Sequence, residues 1–305
     1  MNSPSTAVAS TPGVMLSRVG QAGSALRWDA AGQCWRWLDP VGSQLHTWPA
    51  PPVMPGGVRM LESACAMAFC TSGRVLLGLG KRLGIAELPQ PGQASRPLQA
   101  QVLVTIDAAE PRTSISDGCA DRHGNFVFGT ANTGPDKRPI GSFYQFSQRH
   151  GLRRLALPAV AAAAGIAFNP DSRRMVFADA ARGAIMQCDY EPDRARTSNV
   201  KLYSELLEPG AGAAVFDRDG NLWSVQGGVL VQYDRDGLAL QRIVLARETA
   251  AGVAFGGAAL NQLLVLGAQG GLYGLPPDLL NGLAPGVADT LFVDGGSAST
   301  AVSHP

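Results

Sequence analysis

The first regularity along the chain is a polar turn that gives way to an apolar strand. Asp217-Arg218-Asp219-Gly220-Asn221 runs into Leu222-Trp223-Ser224, and Asp121-Arg122-His123-Gly124-Asn125 runs into Phe126-Val127-Phe128-Gly129. Asp bonds its own backbone in such turns and Gly accepts positive φ, so each stretch predicts a tight turn opening a strand. Variants stand at 29–37, 71–77, 169–177 and, more loosely, 256–265. The six turns centre on residues 32, 73, 124, 172, 220 and 261, at intervals of 41 to 51 residues. Self-similarity at that period, built from short strands, predicts a β-propeller rather than a helical solenoid.

The flanks of each turn fill in the blade. Small apolar residues precede it at 64–69, 165–168, 213–216 and 252–255, as innermost strands crowding an axis require, and their first residues are expected to line a central channel. Beyond the turn come an apolar strand, a Gly-containing turn and an alternating strand, as at 84–88, 141–146, 183–190 and 228–234, with the period of two expected of outer strands. The fold class expected is all-β, a six-bladed propeller with four-stranded blades around a central channel. It forms one domain over 14–294, between disordered ends at 1–13 and 295–305. Residues 159–164 read as a loop entering an inner strand, because so short an isolated helix is unstable in water. Asp289-Thr290-Leu291-Phe292-Val293 reads as a last strand that closes the ring with the N-terminal segment.

Composition agrees and narrows the function classes. With 37 Gly, 21 Pro and 16% charged residues, the chain suits a turn-rich sheet protein, and 46% hydrophobic content is ample for its core. A net charge of +1 offers no basic field for nucleic acid. No apolar run is long enough to span a bilayer, and the Ser/Thr/Ala/Pro-rich start lacks the basic opening of a secretion signal. The expectation is a cytoplasmic monomer or small homo-oligomer that meets a small-molecule ligand, with no nucleic-acid or membrane partner. Five cysteines, Cys34, Cys65, Cys70, Cys119 and Cys188, read as buried reduced thiols, since no pair has zinc-ribbon spacing.

One stretch carries a resemblance. Thr113-Ser114-Ile115-Ser116-Asp117-Gly118-Cys119-Ala120-Asp121, running to Gly129-Thr130, accompanies Trp28-Asp29, Gly165-Ile166-Ala167-Phe168-Asn169-Pro170-Asp171, Phe177-Ala178-Asp179, Asp217 to Trp223 and Val253-Ala254-Phe255-Gly256-Gly257. In order and spacing this resembles the regucalcin/gluconolactonase (senescence marker protein) family of six-bladed propellers, over roughly 19–275. The resemblance implies lactone hydrolysis. A divalent cation, calcium or zinc, held by Glu, Asn and Asp from three inner strands polarises the lactone carbonyl, while an Arg, a second Asn and a further acid hold the substrate.

This chain departs from that pattern at each position. The Glu falls on Ser24, the metal-binding Asn on Ala164 and the Asp on Gly212. In the family's Arg-x-Asn-Asp-Gly motif the Arg falls on Ser114 and the Asn on Ser116, while Asp117-Gly118 remain; the later acidic position falls near Thr133-Gly134, and a Thr-Ser pair on Ala251-Gly252. No metal cofactor is therefore expected, and catalytic residues stay unassigned. The candidates for binding a ligand in the channel are Ser24, Ser114, Ser116, Asp117, Thr133, Ala164 and Gly212. Two functions follow: a divergent member that binds a small molecule with altered or lost catalysis, or a lactonase with a rebuilt metal site or a metal-free route.

Individual residues carry rival readings. Asp117 reads as bonding backbone amides in the Ser-Asp-Gly turn, or as touching a channel ligand. The serines can form a hydroxyl-lined pocket, but a nucleophilic Ser needs a base, and His46, His123, His150 and His304 fall in outer strands, turns or the tail. Cys119 reads as packing. Trp28, Trp35, Trp37 and Trp223 read as wedges between blades rather than an aromatic cage. Lys81-Arg82 and Arg153-Arg154 read as solvated charge.

Overall fold

The computed structural model describes residues 13–17, 19–49, 56–88, 96–245, 249–280 and 282–295. Of the ends expected to be disordered, 1–13 and 295–305, all but Gly13, which opens a strand, and Gly295 fall outside that set, as does most of the Pro-rich connector at 89–97. Six four-stranded antiparallel sheets surround an axis, and five of them follow the chain in simple order. Their first, innermost strands are Ser24–Asp29, Ala66–Phe69, Thr113–Ala120, Ala163–Phe168 and Ala211–Phe216, with Ala250–Gly256 in the sixth. Each touches the next around the ring, and the sixth touches the first. Among the described residues no helix is long and apolar enough to cross a membrane.

All six expected turns join an inner strand to the second strand of its blade. Asp121 accepts the amides of His123 and Asn125, both at 2.9 Å. Asp217 accepts the Asn221 amide at 2.9 Å and the Trp223 indole N–H at 3.1 Å. Left-handed backbone falls on Gly73, Gly124 and Gly220. In the first blade it falls one residue later than the repeat predicts, on Gln33 (φ 47°) rather than Gly32. There both Ala31 and Gly32 amides already bond Asp29, which moves the reversal along by one.

Ring closure differs from expectation. The N-terminal strand Gly13–Leu16 alone supplies the outer strand of blade six, pairing antiparallel with Leu272–Gly274. That edge being taken, residues 285–294 run instead as a strap beneath the inner turns, held to successive blades. The Gly286 amide reaches the Leu260 carbonyl, the Arg218 amide the Pro285 carbonyl, and the Val293 amide the Gly124 carbonyl. Phe292 forms only an isolated parallel bridge with Cys70. Its ring is fully buried, stacked 5.9 Å from Phe146 in the core between blades two and three. Asp294 accepts from Thr71 and Ser72 and pairs with Arg74 at 2.7 Å.

The tryptophans do act as wedges. Trp35 and Trp37 pack with Leu264, Leu266 and Leu272 of blade six, and Trp223 meets Phe255 edge-on at 6.3 Å. The paired charges are less solvated than expected. Lys81 donates to the carbonyls of Asp107 and Glu110, both at 2.6 Å, and so ties blade two to the connection entering blade three. Arg153 donates to the Asp193 carbonyl at 2.8 Å. Such carbonyls, stranded in connections, need donors, and long basic side chains reach them.

The five cysteines are free, three buried and two half-buried. Burial pushes the thiols of Cys70, Cys119 and Cys188 up to about 12 and raises those of Cys34 and Cys65. A disulfide-exchange reagent at pH ~8 should therefore read under about one thiol per native chain, and all five after unfolding.

The strap gives a stability test. Phe292→Ala should cost about 3 kcal/mol by chemical denaturation at any pH, the usual cost of emptying an aromatic site. Burial raises the Asp294 carboxyl, but hydrogen bonds from Ser72, Thr71 and Arg74 outweigh it and the net value falls. Its contribution is thus present above the unfolded carboxylate range and lost as pH falls through the lower folded value. Asp294→Asn should cost about 2 kcal/mol at neutral pH, with the deficit shrinking below pH ~4. A deficit unchanged down to pH ~2 would refute that assignment.

Candidate functional site

Because the Asp/Gly turns end the inner strands at the ring's floor, each inner strand begins at the opposite end, the mouth of the channel. Five of the six carry a break in register near that start, between Ser24 and Arg27, Ile115 and Asp117, Ala164 and Ala167, Ala211 and Ala214, and Ala250 and Gly252. An extra residue in one strand bends it and re-aims its side chains. Left-handed backbone accompanies two of the breaks, at Ala25 (φ 50°) and Gly165 (φ 62°). A non-glycine residue there costs energy, and such strain collects where a site over-determines the chain.

The candidates gather around the mouth, but their polar atoms are largely spent on the ring itself. The Ser24 hydroxyl donates to the Cys65 carbonyl of blade two at 2.7 Å, and that of Ser116 to the Ala163 carbonyl of blade four at 2.8 Å. Ser114 reaches the Gly80 carbonyl at 3.4 Å. Thr133, on the turn between the second and third strands of blade three, donates to the Arg112 carbonyl at 2.8 Å. Among the described residues no hydrogen bond joins these hydroxyls to one another. They are stitches between neighbouring segments rather than one hydroxyl cluster.

Asp117 is committed at both oxygens. Oδ1 accepts the Gly118 amide at 2.8 Å and Oδ2 the Ile166 amide of blade four at 2.9 Å. Burial pushes its carboxyl up, against the pull of the Ile166 amide and Arg27. Ala164 and Gly212 are half-exposed at the mouth. A Cβ added at Gly212 would lie 2.6 Å from Val225 Cγ2 and 3.1 Å from the Ala251 carbonyl oxygen, so a side chain there meets the wall between blades five and six.

Sequence reasoning missed the charge deeper in the channel. Arg27, from blade one, is 9% exposed and donates through Nη2 to the Gly118 carbonyl of blade three at 3.0 Å. Burial works against its charge, but Asp289, and after it Cys119 and Asp117, outweigh that and raise its value. Asp289, on the strap, approaches Nε at 3.8 Å. Below lies a cavity of about 50 Å³, between Arg27, Cys119, Arg122, Phe216, Val287 and Asp289. That is room for roughly three waters and not for a sugar ring. The available signal was an Arg midway along an inner strand, between Leu26 and Trp28. The other half of the pair, Asp289, comes from a segment read as sheet.

The chemistry of this donor set does not fit a divalent cation at the family's position. A hard cation takes six or more oxygens, several of them anionic. Among the described residues no group of three or more His, Cys, Asp or Glu side chains converges on one point. Nor, among the described residues, does a histidine stand by the serines: His46 lies in the third strand of blade one, stacked on Trp37, and His123 and His150 are exposed in turns.

Comparison with known proteins agrees with this architecture. A family profile described as SMP-30/Gluconolactonase/LRE-like region matches residues 22–269. The chain is 33% identical to an L-arabinolactonase of Azospirillum brasilense over 228 residues, 72% of this chain and 70% of that one. It is 24% identical to the pentonolactonase XacC of Haloferax volcanii over 247 residues, 77% of each. Among solved structures, a calcium-binding regucalcin from Agrobacterium tumefaciens superposes with a TM-score of 0.79 at 16% identity, covering 94% of this chain and 99% of that one. A luciferin-regenerating enzyme superposes with a TM-score of 0.81 at 20% identity, covering 92% and 99%. The ring, its bulged mouth and the match over most of its length make this chain a member of the SMP-30/gluconolactonase/LRE-like family.

Proposed function

We propose that this propeller binds a small, weakly charged molecule at its channel mouth without the divalent cation that the family resemblance implies, and that metal-assisted lactone opening is lost from it. The observation that carries this reading is the state of the donors. Ser24, Ala164 and Gly212 occupy the three positions the resemblance gives to oxygen ligands, and the carboxylate that remains in the family motif, Asp117, already accepts two amides. Neutral hydroxyls cannot replace anionic oxygens around a dication. Positive charge in the channel is instead supplied covalently, by Arg27. What remains at the mouth is a rim of small residues and serine lone pairs, suited to a neutral ligand that accepts or donates few hydrogen bonds.

A second reading rests on similarity alone: the L-arabinolactonase relative, at 33% identity, favours hydrolysis of a sugar lactone. One pair of measurements separates the two. With calcium, zinc or manganese at about 1 mM the melting temperature should not move, since an ion that binds only the native state must raise it. L-arabinolactone at neutral pH should open no faster than its chelator-treated control. A clear rise in melting temperature, together with lactone opening that chelator abolishes, would restore the lactonase reading. Opening that persists in chelator would instead favour a metal-free route.

A further inference from the structure

A concavity lies away from the channel, on the floor face between blades four and five. It holds about 250 Å³ and is lined by Asn169, Pro170, Asp171, Arg174, Arg218, Gly220 and Arg235. Three guanidiniums from two blades converge there against one carboxylate. The turns that present them are fixed. Asn169 Oδ1 accepts the Arg174 amide at 2.9 Å, and Ser172 (φ 65°) and Gly220 (φ 78°) take left-handed backbone. Arg235 lies against Gly220, where a Cβ would come 3.2 Å from its Nε.

The charged side chains of the lining are mostly basic. Arg174 gives Nη1 to the Arg235 carbonyl at 2.7 Å, and Arg235 gives Nε to the Asp219 carbonyl at 2.5 Å. Neither they nor Arg218 form an ion pair among the described residues, although ten arginine–carboxylate pairs occur elsewhere. Asp171, the one carboxylate in the lining, already accepts the Arg173 amide at 2.9 Å. Within the lining three cations face one anion, while Asp219, Asp234 and Asp236 stand in the adjoining turns of blade five. A phosphate monoester carries close to two negative charges at neutral pH, and guanidinium forks match its oxygens.

We infer that the groove between blades four and five is an anion site for a phosphorylated small metabolite, with Arg174, Arg218 and Arg235 gripping the phosphate. The volume accommodates a phosphate and part of a sugar, and falls just below the usual range for ligand pockets. The site is separate from the channel mouth and does not depend on what binds there.

Glucose 6-phosphate is a suitable probe, titrated calorimetrically into the full chain at about 20 mM salt, where such attraction is little screened. Saturable binding tighter than about 1 mM is expected, with glucose silent and inorganic phosphate competing. Arg218→Gln with Arg235→Gln, both at exposed positions, should weaken it at least about tenfold while leaving the melting temperature unchanged. No binding up to about 10 mM would overturn the inference. So would undiminished binding by the double variant, which would place the phosphate elsewhere, or equal binding of citrate, which would reduce the groove to a general attraction for anions.

Discussion

Six twisted sheets can share one axis only if their innermost strands approach almost backbone to backbone. That constraint governs this molecule. A Cβ at Gly165 would sit 3.1 Å from the Gly212 carbonyl oxygen of the next blade, and one at Gly212 would sit 3.1 Å from the Ala251 carbonyl oxygen of blade six. Small residues near the axis and large aromatic wedges farther out are two sides of the same packing requirement, since interiors admit neither overlap nor void. The backbone groups left over where blades meet need partners of their own. Serine hydroxyls, the Asp117 carboxylate and the Arg27 guanidinium serve as those partners.

Polar side chains at the axis thus have two possible employers, the ring and a ligand. A carboxylate that accepts two amides has fewer lone pairs free for a cation, and alone it supplies at most two of the six or more oxygens a hard cation takes. A serine that donates to a neighbouring carbonyl keeps only its lone pairs. Arg27 links blades one and three across the channel, and Asp289 on the strap faces it from below. Charge is therefore balanced inside the channel by side chains fixed to the fold. The strap crosses the floor, with a cavity of about 50 Å³ between it and Arg27.

Much of the fold was legible before any coordinates. The six turns, their spacing, the small-residue inner strands and the tryptophan wedges all stand where the pattern put them, because each is set by local chemistry repeated along the chain. Ring closure was not legible. Residues 289–293 have the composition of a strand, yet the edge they would pair with is taken by Gly13–Leu16, and Phe292 gains more by burial beside Phe146. The one-residue displacement of left-handed backbone from Gly32 to Gln33 escaped for a similar reason, since it depends on which amides Asp29 captures.

At the mouth, the sequence by itself determined which residue types stand at each position: Ser24, Ala164 and Gly212, with Asp117 the lone acid of its motif. Identity is a local property, and repeat position carries it to the right end of the right strand. Only the tertiary structure decided what those groups are bonded to, that the wall at Val225 leaves no room beyond Gly212, and that Arg27 crosses the channel to meet Gly118, ninety-one residues away. Partnerships of that kind join blades distant in sequence, and they exist only once the ring has closed and brought strand against strand around the axis.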